Sequence, residues 1–455
     1  MTRVVGAEAV DGPADGPADE PVDGSADEPA TATGAGPAAG PDRPLRRNRE
    51  FLLLWSGASL SFLSARVTAV AYPLIVLWHT SSPLAMSVVS TAALLPLLLV
   101  QLPAGALVDR WDRRRLMLAC EAGRLAVVGS VALALAAGRT TVAHLAAAAF
   151  VEAALAVFYR LAERGAVRNL VHPAHLPAAL AQNEARGRAA GLLGQPAGVL
   201  LQSAARWLPF GFGALGYLLS ALSLLLIRKD FQQERADRAD RPRMATEVAE
   251  GMRWLWRQRF LRAALGYVAG TNVLFQMLAL ALILRIKETG LPSATLAVVM
   301  GIGGVGGLCG ALTGSRIQRR MRQRTLLIGG AVTWALLIGA MGFTGAPVAL
   351  GALYAGIGFV GAVFNVGAAV YQVRTTPDAL QGRVAATAGL IGSGTNALGS
   401  SAAGLLLAAW GARTTVHAIA GAMAVLALFT VLAPDLKGEI TDDETDTGTG
   451  GAARG

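Results

Sequence analysis

Two ionisable residues lie deep inside long apolar runs, a costly placement that marks proton or substrate pathways when the run crosses a membrane. Glu152 falls about ten residues into the run 142–162, near mid-membrane at about 1.5 Å rise per residue. A carboxylate there is expensive to ionise, which suits a group that takes a proton on one side and releases it on the other. The alternative is a structural carboxylate paired with an arginine. Arg66, midway along the run 51–78, is placed to pair with Glu152 or to hold an acidic substrate. Glu121 and Arg124, at i and i+3, are expected to neutralise each other, and Glu184, Arg186 and Arg188 read as structural gating pairs. Asn272, Gln276, Asn365, Gln372 and Asn396 lie within later apolar runs. They are candidates to line a cavity, with bonding to a neighbouring helix as the alternative. Asp109 sits in the stretch Gly105-Ala-Leu-Val-Asp-Arg-Trp-Asp-Arg-Arg-Arg, where one apolar run ends and the next begins. A carboxylate there can accept from the first amides of a facing helix and pair with an arginine in only one arrangement of the chain, which makes it a candidate latch. The alternative is a charge solvated in a turn.

The elements that must position these groups are apolar spans. The chain has 455 residues, 53% of them hydrophobic and only 15% charged, and its mean hydropathy is +0.48. Soluble domains carry about 25% charged residues, so the deficit points to lipid. Twelve runs approach the roughly 20 residues needed to cross a bilayer: 51–78, 84–108, 116–137, 142–162, 178–204, 210–227, 263–284, 295–313, 326–343, 348–373, 384–410 and 415–432. The fold class expected is an all-α membrane protein of about twelve transmembrane helices in two six-helix, pseudo-symmetric bundles. The bundles would span 45–228 and 263–434.

The formal net charge of +10 comes from short basic segments between apolar runs, so membrane orientation explains it better than nucleic acid. With both termini in the cytoplasm, Arg110, Arg113, Arg164, Arg168, Arg316, Arg319 and Arg374 all fall inside. The outer loops keep only Arg139, Arg206, Arg285, Lys287 and Arg413. Residues 1–44 and 435–455 are Pro/Gly-rich or acidic and Gly/Thr-rich, too poor in large apolar residues to order themselves, and are expected to be disordered cytoplasmic tails. Between the halves, 229–262 reads as a cytoplasmic linker. Met244, Val248, Met252 and Leu255 recur there at helical spacing, and Trp254 and Trp256 suit a headgroup boundary, so an amphipathic interfacial helix is expected.

The basic turn repeats. Its copy is Gly310-Ala-Leu-Thr-Gly-Ser-Arg-Ile-Gln-Arg-Arg, and 310 − 105 gives an offset of 205 residues. Each copy follows the second span of its half. Two six-helix halves in the same orientation form a parallel repeat of the kind seen in rocking transporters. The second copy has Gly314 where the first has Asp109, so a latch would be one-sided.

Gly105, Leu107, Asp109, Arg110 and Arg113 resemble the signature of the major facilitator superfamily, with Asp112 standing where glycine is usual. Four stretches are similar to the bacterial branch that contains macrolide-efflux and enterobactin-exporter proteins. They are Arg49-Glu-Phe-Leu-Leu-Leu-Trp, Leu102-Pro-Ala-Gly-Ala-Leu-Val-Asp-Arg-Trp-Asp-Arg-Arg-Arg, Gly251-Met-Arg-Trp-Leu-Trp and Pro377-Asp-Ala-Leu-Gln-Gly-Arg-Val. In the fifth span, Gly194, Pro196 and Gly198 resemble the motif of drug antiporters, with Gln195 replacing a glycine. The resemblance implies that Asp109 faces the helix beginning near Arg383, with Gly105, Arg110 and Arg113 completing the latch. It also implies export of a small organic molecule driven by protons.

No phosphate-binding loop, HExxH, CxxC pair or GxSxG occurs, so no cofactor or metal is expected. Gly301-Ile-Gly-Gly-Val-Gly lies inside a span, where close helix packing explains it better than a dinucleotide loop. The reading is a transporter, not an enzyme: a monomer in a bacterial inner membrane, exchanging protons for a small hydrophobic or amphipathic compound, with Glu152 carrying the proton. Export of a siderophore or self-made metabolite is the first alternative. A non-transporting scaffold or sensor is the second.

Overall fold

The computed structural model describes residues 45–108, 110–228, 231, 253, 256, 259–321, 323–375 and 378–432. Among these there is no strand. The N-terminal half comprises α1 (Arg49–Thr80), α2 (Pro83–Leu99), α3 (Gln101–Val108), α4 (Arg113–Ala136), α5 (Val142–Leu170), α6 (Leu176–Ala204) and α7 (Leu208–Leu226). The C-terminal half comprises α8 (Arg259–Glu288), α9 (Ala294–Arg320), α10 (Gln323–Met341), α11 (Pro347–Thr375) and α12 (Asp378–Leu432). Eight helices contain a stretch long and apolar enough to cross a membrane, and two shorter apolar helices occupy Pro83–Leu99 and Thr325–Met341. The tails, the expected latch carboxylate Asp109 and nearly all of the linker, including its amphipathic stretch, lie outside the described residues.

Helix boundaries follow local chemistry. The Asn48 side chain accepts from the Phe51 amide at 3.1 Å and starts α1. Ser82, followed by Pro83, does the same for α2 through the Ala85 amide at 3.2 Å. Asp112, read from sequence as a departure from a family pattern, caps α4 by accepting from the Arg115 amide at 2.8 Å. The second copy of the turn has Ile317 at the matching place and no cap to offer, and there α9 runs on unbroken to Arg320.

One expected span needs correction. The run 84–108 is not one helix but α2 and α3, parted at Val100. Pro103 has no amide to give the Leu99 carbonyl, and its ring crowds that carbonyl, so the helix bends one turn earlier. The runs 384–410 and 415–432 remain two helices, separated within α12 by a kink at Gly411, at φ 70° and ψ 177°. A side chain would be strained there.

Packing depends on small residues. In α9, Gly303, Gly306 and Gly310 lie against Tyr354, Ala355 and Phe359 of α11 so closely that a Cβ on any of them would collide with the neighbouring helix. The glycine-rich run is therefore a packing surface, as the sequence suggests. Contacts between the halves obey the repeat. The second span of each half packs on the fifth of the other, α2 on the first part of α12 and α6 on α9. Large apolar side chains face outward around the bundle, among them Leu133, Leu312, Leu336 and Val425, an exterior suited to lipid. This is a multi-pass membrane protein.

Replacing Gly306 with valine is expected to cost about 1–3 kcal/mol through overpacking against α11. Thermal unfolding of purified protein in detergent would show a lowered midpoint, and an unchanged midpoint would mean that the two helices are not in backbone contact.

Candidate functional site

A stripe of small and hydroxyl residues runs along one face of α1 at helical spacing: Gly57, Ser61, Ser64, Thr68 and Tyr72. Beside Gly57, Ser64 and Thr68, α7 brings Ser223, Gly216 and Gly213 so close that added methyl groups would not fit. Glu152 of α5 reaches this seam from the side and is 5% exposed. Its Oε1 accepts from Thr68 Oγ1 at 2.7 Å and Tyr217 Oη at 2.5 Å, and its Oε2 accepts from Tyr72 Oη at 2.8 Å. Hydroxyls from two helices thus satisfy a carboxylate removed from water.

The network continues through Tyr217. Arg124 of α4 donates to Tyr217 Oη at 2.9 Å and to Ser61 Oγ at 2.8 Å, with its guanidinium 3.9 Å from the Tyr217 ring centroid. Ser220 Oγ donates to Glu121 Oε1 at 3.1 Å, and Tyr159 lies 3.4 Å from Ser220. Arg124 and Glu121 form the buried i, i+3 ion pair that their spacing suggests, at 3.7 Å, and Arg124 reaches beyond it to Tyr217 and Ser61. Glu121 Oε2 is buried with no partner among the described residues. One guanidinium therefore faces two buried carboxylates.

Arg66 does not pair with Glu152. It lies two positions, about 200° around the helix, from Thr68, so the face that reaches Glu152 excludes it. Its side chain is exposed, with its guanidinium 5.0 Å from the Phe62 ring centroid. The more exposed positions of α1 form a stripe through Leu52, Ser56, Arg66 and Ala69, whereas every residue from Val70 to Leu77 is buried. In α8, residues 277–286 are likewise almost wholly enclosed, while its first half is more open. Both helices thus border a groove open toward the end that carries Arg113 and closed toward the other.

The closed end has its own fastening. Lys287 of α8 donates to the Leu77 carbonyl at 2.5 Å and to Ser81 Oγ at 2.8 Å. Those groups end α1, where unpaired carbonyls favour a cation. Ser81 is, among the described residues, the one non-glycine with positive φ, at 55°. Next along α8, Glu288 Oε1 accepts from the Ala412 amide at 3.0 Å beside the α12 break. Thr91 and Ser401 meet at 3.0 Å between the halves.

The antiporter-like motif packs α6 against α1. A Cβ on Gly194 would lie 2.5 Å from Arg66 Cβ, and one on Gly198 would lie 2.5 Å from the Val67 carbonyl oxygen. Pro196 sits inside the helix between them. Of the latch residues, Gly105 is on α3 and Arg110 is exposed in the turn. The Arg113 guanidinium lies against Gly165 of α5, and the Arg383 side chain is outside the described residues. In the C-terminal half, Asn272 and Gln276 face Gly392 and Gly399 of α12. Asn365 is exposed, Asn396 is half-buried, and the Gln372 side chain is outside the described residues. Arg186 pairs with Glu163 of α5 at 2.7 Å, while Glu184 and Arg188 form an exposed pair at 3.0 Å. Sequence reasoning missed the hydroxyl cage, although the spacing of Ser61, Ser64, Thr68 and Tyr72 was there to be read. It also missed Arg160, one helical turn from Arg164.

Two like-oriented helical halves with buried charge at mid-depth fit a membrane transporter, not an enzyme. The family model of the Major Facilitator Superfamily matches residues 54–394, and the chain belongs to that superfamily. It is 28% identical over 395 residues to the multidrug efflux pump Tap of Mycolicibacterium fortuitum, covering 82% of this chain and 92% of Tap. It is 27% identical over 365 residues to YfiS, an uncharacterized MFS-type transporter of Bacillus subtilis (strain 168), covering 75% and 83%. Among solved structures it resembles the nucleoside transporter NupG, with TM-score 0.65, 14% identity, and 84% and 98% of the chains covered. It also resembles a bacterial homolog of the human lysosomal transporter Spinster in an inward-facing and occupied conformation. That match has TM-score 0.68, 14% identity, and 86% and 97% coverage.

Arg124→Met leaves two buried carboxylates without their cation and is expected to destabilise the protein by about 3–5 kcal/mol. Adding Glu121→Gln should restore part of the loss, a recovery that thermal unfolding of the single and double variants would reveal. Lys287→Met should loosen the closed end. In a background lacking Cys120 and Cys309, an Ala69→Cys variant should then react several-fold faster with an impermeant maleimide added from the Lys287 side.

Proposed function

We propose that this transporter exports a small hydrophobic or amphipathic compound across the bacterial cytoplasmic membrane in exchange for protons. In this reading the end bearing Arg113 and both termini face the cytoplasm, in line with the excess of arginine in the segments there. The groove then opens inward and its closed end faces out. A monomer embedded in lipid suffices, because both halves of the groove come from one chain.

The observation that carries the proposal is the Glu152 cluster. Its carboxylate is bound by Thr68 and Tyr72 of α1 and by Tyr217 of α7, and Tyr217 also bridges to Arg124. Protonation of Glu152 weakens its hold on both hydroxyl-bearing helices, and α1 borders the groove along its other face. A proton taken up there thus changes the packing of a helix that the substrate also touches. Similarity to a multidrug efflux pump over most of both chains supports export as the direction. Asp109, with Arg383 and the basic turn, serves in this scheme as the cytoplasmic latch of the outward-open state.

Siderophore or metabolite export is the second reading, favoured by the exposed guanidinium of Arg66 in the groove.

Inverted vesicles loaded with acid, given a panel of dyes, macrolides and siderophores, test the proposal. A substrate should trigger proton efflux, and Glu152→Gln should abolish it while leaving substrate binding in place. Full proton-coupled transport by that variant would reduce Glu152 to a structural role.

A further inference from the structure

Three arginines border one section of the groove, and the one carboxylate near them, Glu163, is outnumbered. Arg66 projects from α1, and Arg160 and Arg164 lie one turn apart on α5. Arg66 and Arg164 are exposed, Arg160 is half-buried, and Arg160 lies within electrostatic reach of the other two. The nearest candidate to neutralise them, Glu163, is buried and already bound to Arg186 at 2.7 Å.

Helix geometry sets the depths of the first two. The helices α1 and α5 run in opposite directions, and the Thr68–Glu152 bond of 2.7 Å sets their register. Measured from that bond, Arg66 lies about 3 Å and Arg160 about 12 Å toward the arginine-rich end at 1.5 Å per residue. Side chains lean toward the N-terminus of their own helix, so these two lean toward each other along the helix axes, which shortens that difference in depth. Phe62, beside the Arg66 guanidinium, adds an aromatic face to the same wall.

Like charges one turn apart destabilise a helix, and partly desolvated cations at this depth are costly. A bound anion relieves both costs, and paired guanidiniums suit a flat, two-oxygen acceptor. We infer that Arg66 and Arg160, flanked by Arg164, form the binding site for an acidic group — a carboxylate, sulfonate or phosphate — on the transported compound, with Phe62 against its apolar part. The inference rests on the export reading and narrows its substrate class to amphipathic anions.

The test uses two dyes of similar ring size and opposite charge, anionic fluorescein and cationic rhodamine 6G. Binding to the purified full chain in phosphatidylcholine nanodiscs is followed by fluorescence anisotropy. Fluorescein should bind more tightly than rhodamine 6G. Arg66→Gln and Arg160→Gln should each weaken fluorescein about tenfold or more. Arg160→Lys should recover part of that loss, and Arg139→Gln, at the closed end, should change nothing. If phosphatidylglycerol in the discs displaces the dye from the parent protein but has no effect in Arg160→Gln, the site stands and its acidic group can come from a lipid headgroup. Equal or tighter binding of rhodamine 6G, no fluorescein binding, or fluorescein binding indifferent to both glutamine variants overturns the site. Rhodamine 6G efflux by the same protein in vesicles would still uphold the export reading. Arginine-dependent fluorescein binding with no flux of either dye would instead sink the export reading and leave the site.

Discussion

A charge inside a membrane protein must find partners within the protein, because neither lipid nor a dry core supplies them. That constraint organises the N-terminal half. Glu152 is held by hydroxyls from α1 and α7, Arg124 of α4 is tied to the same tyrosine, and Ser220 of α7 binds Glu121. Four helices are thus locked at mid-depth by a cluster carrying one more carboxylate than guanidinium. An unequal cluster in a low dielectric invites a proton.

A second constraint acts between helices. With apolar side chains facing lipid, burying more of them against each other yields little, and association depends on close van der Waals approach. Gly57, Gly213 and Gly216 allow the α1–α7 seam to narrow until its hydroxyls can reach Glu152. Gly303, Gly306 and Gly310 do the same for α9 and α11. These seams make each half rigid, while the contacts between halves are fewer and partly polar, as at Lys287 and Thr91. Stiff halves joined by breakable contacts are what a rocking motion requires.

Much of the fold is legible in the sequence because lipid imposes coarse rules. Spans must be long and apolar, arginines gather in the turns of one side, and a duplicated turn marks a duplicated half. The resemblance carried by Gly105, Asp109 and Arg113 agrees with all three. Details that depend on single backbone groups read less well. Pro103 parts α2 from α3 inside what looks like one span, and Asp112 is a helix cap where pattern matching shows only a mismatch.

For the site, the sequence by itself determined which residues are too costly to be passive: Glu152, Arg66, Glu121 and Arg124 all stand out against an apolar background. Only the tertiary structure decided how they are grouped. Arg66 turns away from Glu152 because Thr68 and Tyr72 occupy the face that meets it, and 100° per residue leaves no room for both arrangements. Arg160, unremarkable in sequence, comes within electrostatic reach of Arg66. Depth in the membrane follows from counting along a single helix. Partnership depends on the rotation of several helices about their axes, and packing alone determines that.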